Sequence, residues 1–215
     1  MARRDWMQTF YPTTEHSSQC VEETLHRALP DTVPRTVLEE RHSRQRPATA
    51  EETAAPHVTL ALTIQAPAQA LAMLRGKKLL ENRSWRIEPG WYALHIGSQR
   101  NSPWAARAAD LCPELPREDD VELQCLFGSI VGLVLISEIR SPAACAGNPW
   151  AFGPLCHVVS EAVELSEPIK HKGSPRLWEL PAFAREAITR QVLQPGASVH
   201  RRHDTSLLDN LLEVT

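Results

Sequence analysis

A short segment, GKKLLENRSW at residues 76–85, carries the side chains best suited to chemistry in this chain. On a strand, residues two apart share a face, so Glu81, Arg83 and Trp85 would lie together, with Lys78 at the mouth of the preceding turn. Arginine holds phosphate or carboxylate with two parallel hydrogen bonds, and lysine supplies a point charge or, once desolvated, a base. A carboxylate can accept from the amino group of a nucleobase. The segment therefore predicts a concavity for an anionic or aromatic ligand, and the alternative is a solvated strand face with a weak Glu81–Arg83 ion pair.

The residues around this segment predict short strands mixed with a few helices. The run Val58–Ile64 is β-branched and partly alternating, which is typical of a strand. Pro67 suits the first turn of a helix, and Gly76 suits its left-handed C-terminal cap. Strands are predicted over residues 58–64, 79–87, 91–97, 127–139, 155–165 and 176–180, and helices over 68–75, 102–111 and 181–193. Strands outnumber helices and the connections are too short for repeated βαβ units, so the predicted fold class is α+β, a small mixed barrel or curled sheet with peripheral helices.

The composition divides the chain into three parts. Residues 1–57 are rich in Thr, Glu, Arg, Ser and Pro and carry few large apolar side chains, which predicts a disordered N-terminal extension. The compact domain is predicted to span residues 58–194. Residues 195–215 are predicted to form a second extension, a polar C-terminal tail. Its apolar patch, Leu207–Leu208 with Leu211–Leu212, suits an amphipathic helix that docks on the domain or meets a protein partner.

The composition also argues against several classes of function. The formal net charge is −3, so a polybasic surface over the whole molecule is not expected. The five cysteines include no Cys-x-x-Cys pair, so neither a zinc site nor a disulfide framework is predicted, and no cofactor is expected. The sequence contains no apolar run of about 18 residues and no secretory signal pattern at its N-terminus. The expected location is the cytoplasm, the nucleus or both.

Residues 76–83 match the pattern Gly-x-Lys-x-x-Glu-x-Arg, and through this motif the chain resembles the activating signal cointegrator homology (ASCH) domains of the PUA-like superfamily. The resemblance covers residues 58–182. Its further matching segments, in the order usual for the family, are LTIQ at 62–65, WYALHIG at 91–97, GSIVG at 128–132, WAFGP at 150–154, EPI at 167–169, KG at 172–173 and LWEL at 177–180. The resemblance implies a small PUA-like mixed β-barrel with peripheral helices.

The resemblance to ASCH domains also implies a range of functions. Proteins of this kind are associated with RNA or DNA binding, with transcription coactivation and, in some small members, with nucleolytic cleavage or hydrolysis of acylated cytidines. In the hydrolase members a lysine, a threonine and a glutamate act together. Lys78 matches that lysine, Glu81 occupies the threonine position, and Glu138 is a candidate for the second carboxylate by rough placement. Replacing a hydroxyl nucleophile by a carboxylate changes the available chemistry and weakens the hydrolase interpretation.

Basic residues gather around the motif. Between Arg75 and Arg86 there are five basic residues and one acidic residue. Lys170, His171, Lys172 and Arg176 form a second basic cluster, which would lie near the first if the barrel closes as in the family. Residues 58–194 hold 14 basic and 14 acidic residues, so nucleic-acid binding is expected to be local and salt-sensitive. The residues predicted to contact nucleic acid are Lys77, Lys78, Glu81, Arg83, Trp85, Ser98 and Lys172.

Three functions remain open at this point. The first is binding of RNA or DNA, RNA being favoured, through a nucleotide held in a pocket lined by Lys78, Glu81 and Arg83, with a coregulator role. The second is an enzyme that hydrolyses a modified, free nucleoside or cleaves RNA, with Lys78 and Glu81 as catalytic acid and base. The third is a non-catalytic transcription or translation adaptor that captures protein partners through its terminal extensions.

Overall fold

The computed structural model describes residues 56–117 and 119–208. Within them lie seven strands, four α-helices and two short 3₁₀ segments, Ala143–Cys145 and Thr205–Leu208. The strands are β1 Leu60–Ile64, β2 Leu80–Arg83, β3 Gly90–Ile96, β4 Ser129–Arg140, β5 Leu155–Lys170, β6 Leu177–Glu179 and β7 Ser198–Arg202. The helices are α1 Pro67–Leu74, α2 Pro103–Leu111, α3 Val121–Gln124 and α4 Ala182–Leu193.

The strands form one mixed sheet in the order β2-β5-β4-β3-β1-β6, and β7 also pairs with β5. β1 and β3 run parallel, whereas every other pair is antiparallel. The parallel pair places the C-terminal ends of β1 and β3 at one edge of the sheet. Two strands pair with the same edge of β5: β2 with residues 155–158 and β7 with residues 161–165.

The sheet is strongly curled. Arg83 ends β2 and Thr63 lies near the end of β1, and in a flat sheet these strands would be about 19 Å apart, four strand spacings. Arg83 Nη2 nevertheless donates to the Thr63 carbonyl oxygen at 2.8 Å. Register shifts between β4 and β5, at residues 130–132 and 135–138, provide irregular positions at which these strands can bend. The sheet therefore forms a half-barrel, which confirms the predicted α+β class with a curled mixed sheet.

Helix α1 fills the concave face of the sheet. All eight of its residues are buried, and it contacts β1, β3, β4 and β5. Gly132 on β4 permits this approach, since a Cβ there would lie 2.5 Å from Leu74 Cδ2. A smaller apolar cluster on the other face packs against α4 through Ala184 and Ile188. Helices α1 and α4 therefore support the sheet from its two faces.

The sequence predictions locate most elements within a few residues. Gly76 adopts a left-handed backbone with φ 72° after α1, as the cap prediction required, and the Ser102 side chain accepts from Trp104 N at the start of α2. The strand predicted to end at Leu165 instead continues to Lys170 through Pro168. Pro168 is tolerated because residues 165–168 lie opposite the irregular part of β4 and have no partner there.

The tail predicted after residue 194 is packed on the domain as far as Leu208 and includes a strand that the sequence did not predict. Ser198–Arg202 form β7, which pairs with residues 161–165, and Leu208 is fully buried. The polar composition of this segment gives no sign of a strand. Pairing with β5 forms the backbone hydrogen bonds of β7, while most of its side chains remain in contact with water. The predicted extension over residues 1–57 lies almost entirely outside the described residues, as do residues 209–215. Among the described residues, no helix is long and apolar enough to cross a membrane.

Candidate functional site

A pocket of about 730 Å³ opens at the edge of the sheet where β1 and β3 end. This volume falls in the range typical of small-ligand sites. Its walls are Thr63, Gln65, Arg83, His95, Gly97, Ser98, Gln99, Gly128, Lys170, His171, Lys172, Gly173, Ser174, Pro175 and Arg176. Four of these residues are Arg or Lys, and none of the described residues in the wall is Asp or Glu. The pocket is therefore suited to an anion.

The curl of the sheet assembles this wall from distant parts of the chain. Thr63, Arg83 and His95 come from the ends of three different strands, and Lys170 is the last residue of β5. The loop of residues 171–176 then covers one side. The second basic cluster and the cation of the sequence motif thus meet at one pocket, as expected if the sheet closes.

Beneath Arg83 lies a buried ionic triad made by the sequence motif. Lys78 is 1% exposed and Glu81 is 5% exposed. Lys78 Nζ donates to Glu81 Oε2, and Arg83 Nε lies 2.8 Å from Glu81 Oε1 as an ion pair without good hydrogen-bond alignment. Both carboxylate oxygens are thus engaged, and burial keeps Glu81 out of the pocket wall.

Burial and the ion pairs of the triad shift the pKa values of Lys78 and Glu81. Burial lowers the pKa of Lys78, while the ion pair with Glu81 opposes that shift. Burial alone would raise the pKa of the Glu81 carboxyl, but the positive charges of Lys78 and Arg83 outweigh burial and hold it below its ordinary value. Glu81 is therefore ionised at neutral pH and stabilises the two cations beside it.

Arg83 belongs to both the triad and the pocket wall. Its guanidinium lies 5.7 Å from the Trp85 ring, and the Arg176 guanidinium lies 5.9 Å from the same ring. Arg176 has a left-handed backbone with φ 65°, and its carbonyl oxygen accepts from Thr63 N at 3.2 Å. This conformation costs about 1–2 kcal/mol in a residue with a side chain, and such strain is common at binding sites. Trp85 thus contacts two cations of the wall.

Asn82, which lies between Glu81 and Arg83 of the motif, anchors a neighbouring loop. Its Nδ2 donates to the Trp150 carbonyl at 2.7 Å, and its Oδ1 accepts from the backbone of Phe152 and Gly153. The Trp150 indole in turn donates to the Lys77 carbonyl at 3.0 Å and lies 5.7 Å from Lys78 Nζ. This loop seals Lys78 from solvent.

A second histidine supports the triad from below. His157 Nδ1 lies 3.0 Å from the Glu81 carbonyl oxygen, and its Nε2 accepts from Ile87 N at 3.0 Å. A carbonyl only accepts, so Nδ1 carries the proton and the ring is neutral. Burial lowers the pKa of His157 accordingly.

A hydrogen-bonded group at Thr63 ties the covering loop to the sheet. The Thr63 hydroxyl donates to the Ser174 carbonyl at 2.6 Å, accepts from Trp178 Nε1 at 3.0 Å and lies 3.1 Å from His95 Nδ1. His95 Nε2 donates to the His171 carbonyl at 3.0 Å, and burial lowers the pKa of His95. The loop that carries Lys172 is thereby held in one conformation.

The structure brings together some of the predicted site residues and separates others. Arg83, Ser98 and Lys172 line the pocket, and Trp85 lies behind Arg83. Lys78 and Glu81 are buried and do not line it. Lys77 is more than half exposed, and its Nζ lies 3.3 Å from Glu114 Oε1, away from the wall. Glu138, the candidate for a second carboxylate, does not line the pocket: it is exposed and pairs with Arg140.

Other wall residues were not assigned to the site from the sequence. Thr63 and His95 lie on predicted strands, where a histidine is usually a structural residue. Their place in the pocket wall depends on contacts with residues more than 30 positions away in the chain. The close packing of Gly173 on the His95 ring could not be predicted from the sequence.

Comparison of the chain with models of known protein families finds no match, and comparison with curated proteins finds none either.

Proposed function

We propose that this domain binds nucleic acid, RNA in preference to DNA, by holding one nucleotide of the strand in the cationic pocket. The observation that carries the proposal is the charge of the wall, with Lys172 and Arg176 exposed at the cavity and no carboxylate among its described residues. Arg83 and Lys170 add positive charge beside them, each held by backbone carbonyl oxygens. Phosphate contacts through Lys and Arg supply most of the affinity in such complexes.

The wall also offers groups that could recognise the rest of a nucleotide. Gln65, Ser98 and Gln99 carry side chains that both donate and accept, so they can pair with base edges or with a ribose hydroxyl. Arg83 and Arg176 both lie within 6 Å of the Trp85 ring, and each guanidinium can hold a phosphate with two parallel hydrogen bonds. The preference for RNA rests on the ribose hydroxyl, which DNA lacks.

We further propose that the chain is an ASCH domain of the PUA-like superfamily, on the strength of its sequence motif. In this interpretation Arg83 of the motif lines the pocket, Lys78 and Glu81 support it from the interior, and a coregulator role follows from nucleic-acid binding. A curled mixed sheet with few helices is compatible with this assignment.

The hydrolase alternative receives less support from the geometry. A catalytic acid or base has to come within hydrogen-bond distance of the substrate, and Lys78 and Glu81 are both buried and paired with each other. The adaptor alternative depends on terminal segments that lie mostly outside the described residues. Binding is therefore the function that the pocket favours.

The test is a salt titration of RNA binding by the full chain. Affinity for a short single-stranded RNA should fall as salt rises, with a log–log slope of about −0.7 for each phosphate neutralised. The double variant Lys172→Ala/Arg176→Ala should bind at least about tenfold more weakly and show a shallower slope. A matched DNA strand measures the preference for RNA.

The control is Lys77→Ala, which removes a cation from the motif but not from the pocket. We expect it to bind RNA almost as well as the unmodified protein. Equal losses in Lys77→Ala and the double variant would overturn the pocket as the site, and so would binding that ignores salt. Cleaved RNA on a gel would instead favour the hydrolase alternative over simple binding.

A further inference from the structure

Three aromatic rings form a continuous surface beside the pocket, which we name the aromatic ledge: His171, Trp178 and Phe183. His171 follows β5, Trp178 lies on β6 and Phe183 lies in the first turn of α4. The ring centroids of His171 and Trp178 are 5.1 Å apart, and those of His171 and Phe183 are 5.6 Å apart. His171 also lines the pocket, so the ledge begins at the pocket wall.

The outer end of the ledge is exposed although it is aromatic. Phe183 is 52% exposed. The side of α4 that faces the sheet is formed by Ala184, Ile188 and Gln191, which are all buried. Phe183 lies beside this face, so its ring contributes little to the core of the domain. A large aromatic side chain at the rim of a cationic pocket is available for a ligand.

The Trp178 ring and the His171 backbone are held in place before any ligand arrives. The Trp178 indole donates to Thr63 Oγ1 at 3.0 Å, and the Trp178 ring meets the edge of His95 at 5.4 Å. His171 N donates to the Gly128 carbonyl at 3.0 Å, and the His171 carbonyl accepts from His95. A fixed ring loses little freedom when a flat group stacks on it.

The charges on the pocket side of the ledge match a polyanion, whereas Glu179 and Glu186 lie beyond Trp178 and Phe183 along the chain. Lys172 follows His171 directly and is exposed, and Arg176 precedes Trp178 by two residues. A strand of nucleic acid that leaves the pocket over the ledge would therefore keep its phosphate beside these cations while its next base meets the rings. Aromatic surfaces among cations are the usual arrangement for unpaired bases, since every base has a flat face.

We propose that the aromatic ledge stacks the base next to the nucleotide held in the pocket, so that the ligand is a single-stranded polynucleotide and not a free nucleotide. This inference rests on the proposed function of the pocket. Stacking on an aromatic side chain tolerates any base, so the ledge adds affinity without sequence preference. A duplex cannot use it, because its bases are already stacked on one another.

The experiment compares two probes of equal charge on the full chain. One is a diuridylate with both bases, and the other carries an abasic sugar at the second position; uridine monophosphate tests the pocket alone. Calorimetry should show that the second base improves affinity about tenfold. Phe183→Ala should abolish this difference and leave uridine monophosphate binding unchanged.

Leu193→Ala is the matched control, because Leu193 is 58% exposed at the other end of the same helix. About 15 Å of helix separates the two positions, so this variant should keep the full preference for the second base. Phe183→Trp should keep it as well, which separates loss of stacking from a change in folding.

The outcomes separate the two proposals. If uridine monophosphate binds but the second base adds nothing, or its contribution survives Phe183→Ala, the ledge is not a stacking site while the pocket proposal stands. If Leu193→Ala loses as much as Phe183→Ala, the effect is not local and the ledge proposal fails. If none of the three probes binds, the proposed function itself is wrong, and the ledge proposal falls with it.

Discussion

Arg83 Nη2 donates to the carbonyl oxygen of Thr63 at 2.8 Å and thereby joins the end of β2 to β1 across the opening of the curled sheet. The two strands are four positions apart in the sheet order. The same guanidinium pairs with Glu81 on its inner side and faces the pocket on its outer side. One side chain thus closes the half-barrel and supplies a binding group.

Arg83→Ala is expected to lower the free energy of unfolding by about 2 kcal/mol, because hydrogen bonds to charged groups contribute about 1.5–3 kcal/mol. Arg83→Lys keeps the charge but cannot reach Thr63 and Glu81 with a planar fork, so it should recover only part of the loss. Urea denaturation measures both. Arg86→Ala is the control: this arginine is 66% exposed beside Glu88, and its loss should change stability by less than about 0.5 kcal/mol.

Lys78→Met removes one partner of a buried ion pair and leaves the Glu81 carboxylate with Arg83 alone. Breaking such a pair typically costs about 3–5 kcal/mol, much of it from the buried charge left behind. Adding Glu81→Leu to the same chain removes that charge, so the double variant should be more stable than Lys78→Met. A double-mutant cycle by urea denaturation measures the coupling between the two residues, and simple additivity would contradict a buried pair.

The elements around the site could largely be predicted from the sequence, because local patterns determine them. Alternation of apolar residues marks β1 and β3, and Pro67 with Gly76 brackets α1 at both ends. These signals act over a few residues and do not depend on the rest of the fold. The meeting of two basic clusters was predicted from the resemblance to a closed barrel.

The exposure of each motif residue could not be predicted in this way. Strand periodicity places Glu81 and Arg83 on the same face. It does not predict that the curl of the sheet buries Glu81 and leaves Arg83 at a pocket. That outcome depends on Thr63, 20 residues away from Arg83, and on the loop at Trp150. The pairing of β7 with β5 is likewise non-local, so a polar segment gave no sign of it.

His157 predicts a specific pH dependence of stability. Its Nε2 accepts from Ile87 N, so protonation of that nitrogen removes a buried hydrogen bond. Burial holds the folded-state pKa of His157 below its unfolded value of roughly 6.5. Between these two values the unfolded chain binds more protons, so stability is complete above about pH 6.5 and falls as the pH drops towards the folded-state pKa.

Urea midpoints at a series of pH values test this expectation. His157→Gln can donate to the Glu81 carbonyl and accept from Ile87 without titrating, so its stability should fall less on acidification. The buried His95 and the partly buried His203 also have lowered pKa values, so the slope should decrease without vanishing. A further loss is expected below roughly pH 4.3, the ordinary value of a glutamate, as the Glu81 carboxylate with its depressed pKa becomes protonated. An unchanged slope in His157→Gln would count against this assignment.

Gly173→Ala should weaken RNA binding with little effect on the core. A Cβ at Gly173 would lie 2.4 Å from His95 Cε1, and the His95 ring is held by its hydrogen bond to the His171 carbonyl and by the edge contact with Trp178. The covering loop therefore has to move, and Lys172 moves with it. We expect RNA affinity to fall about tenfold or more, because misplaced phosphate contacts are lost. Gly97→Ala is the matched control at the same pocket: its Cβ would meet Thr63 Cγ2 at 3.5 Å, an ordinary contact, so affinity should hardly change. Equal affinities in the two variants would show that the position of the loop does not matter for binding.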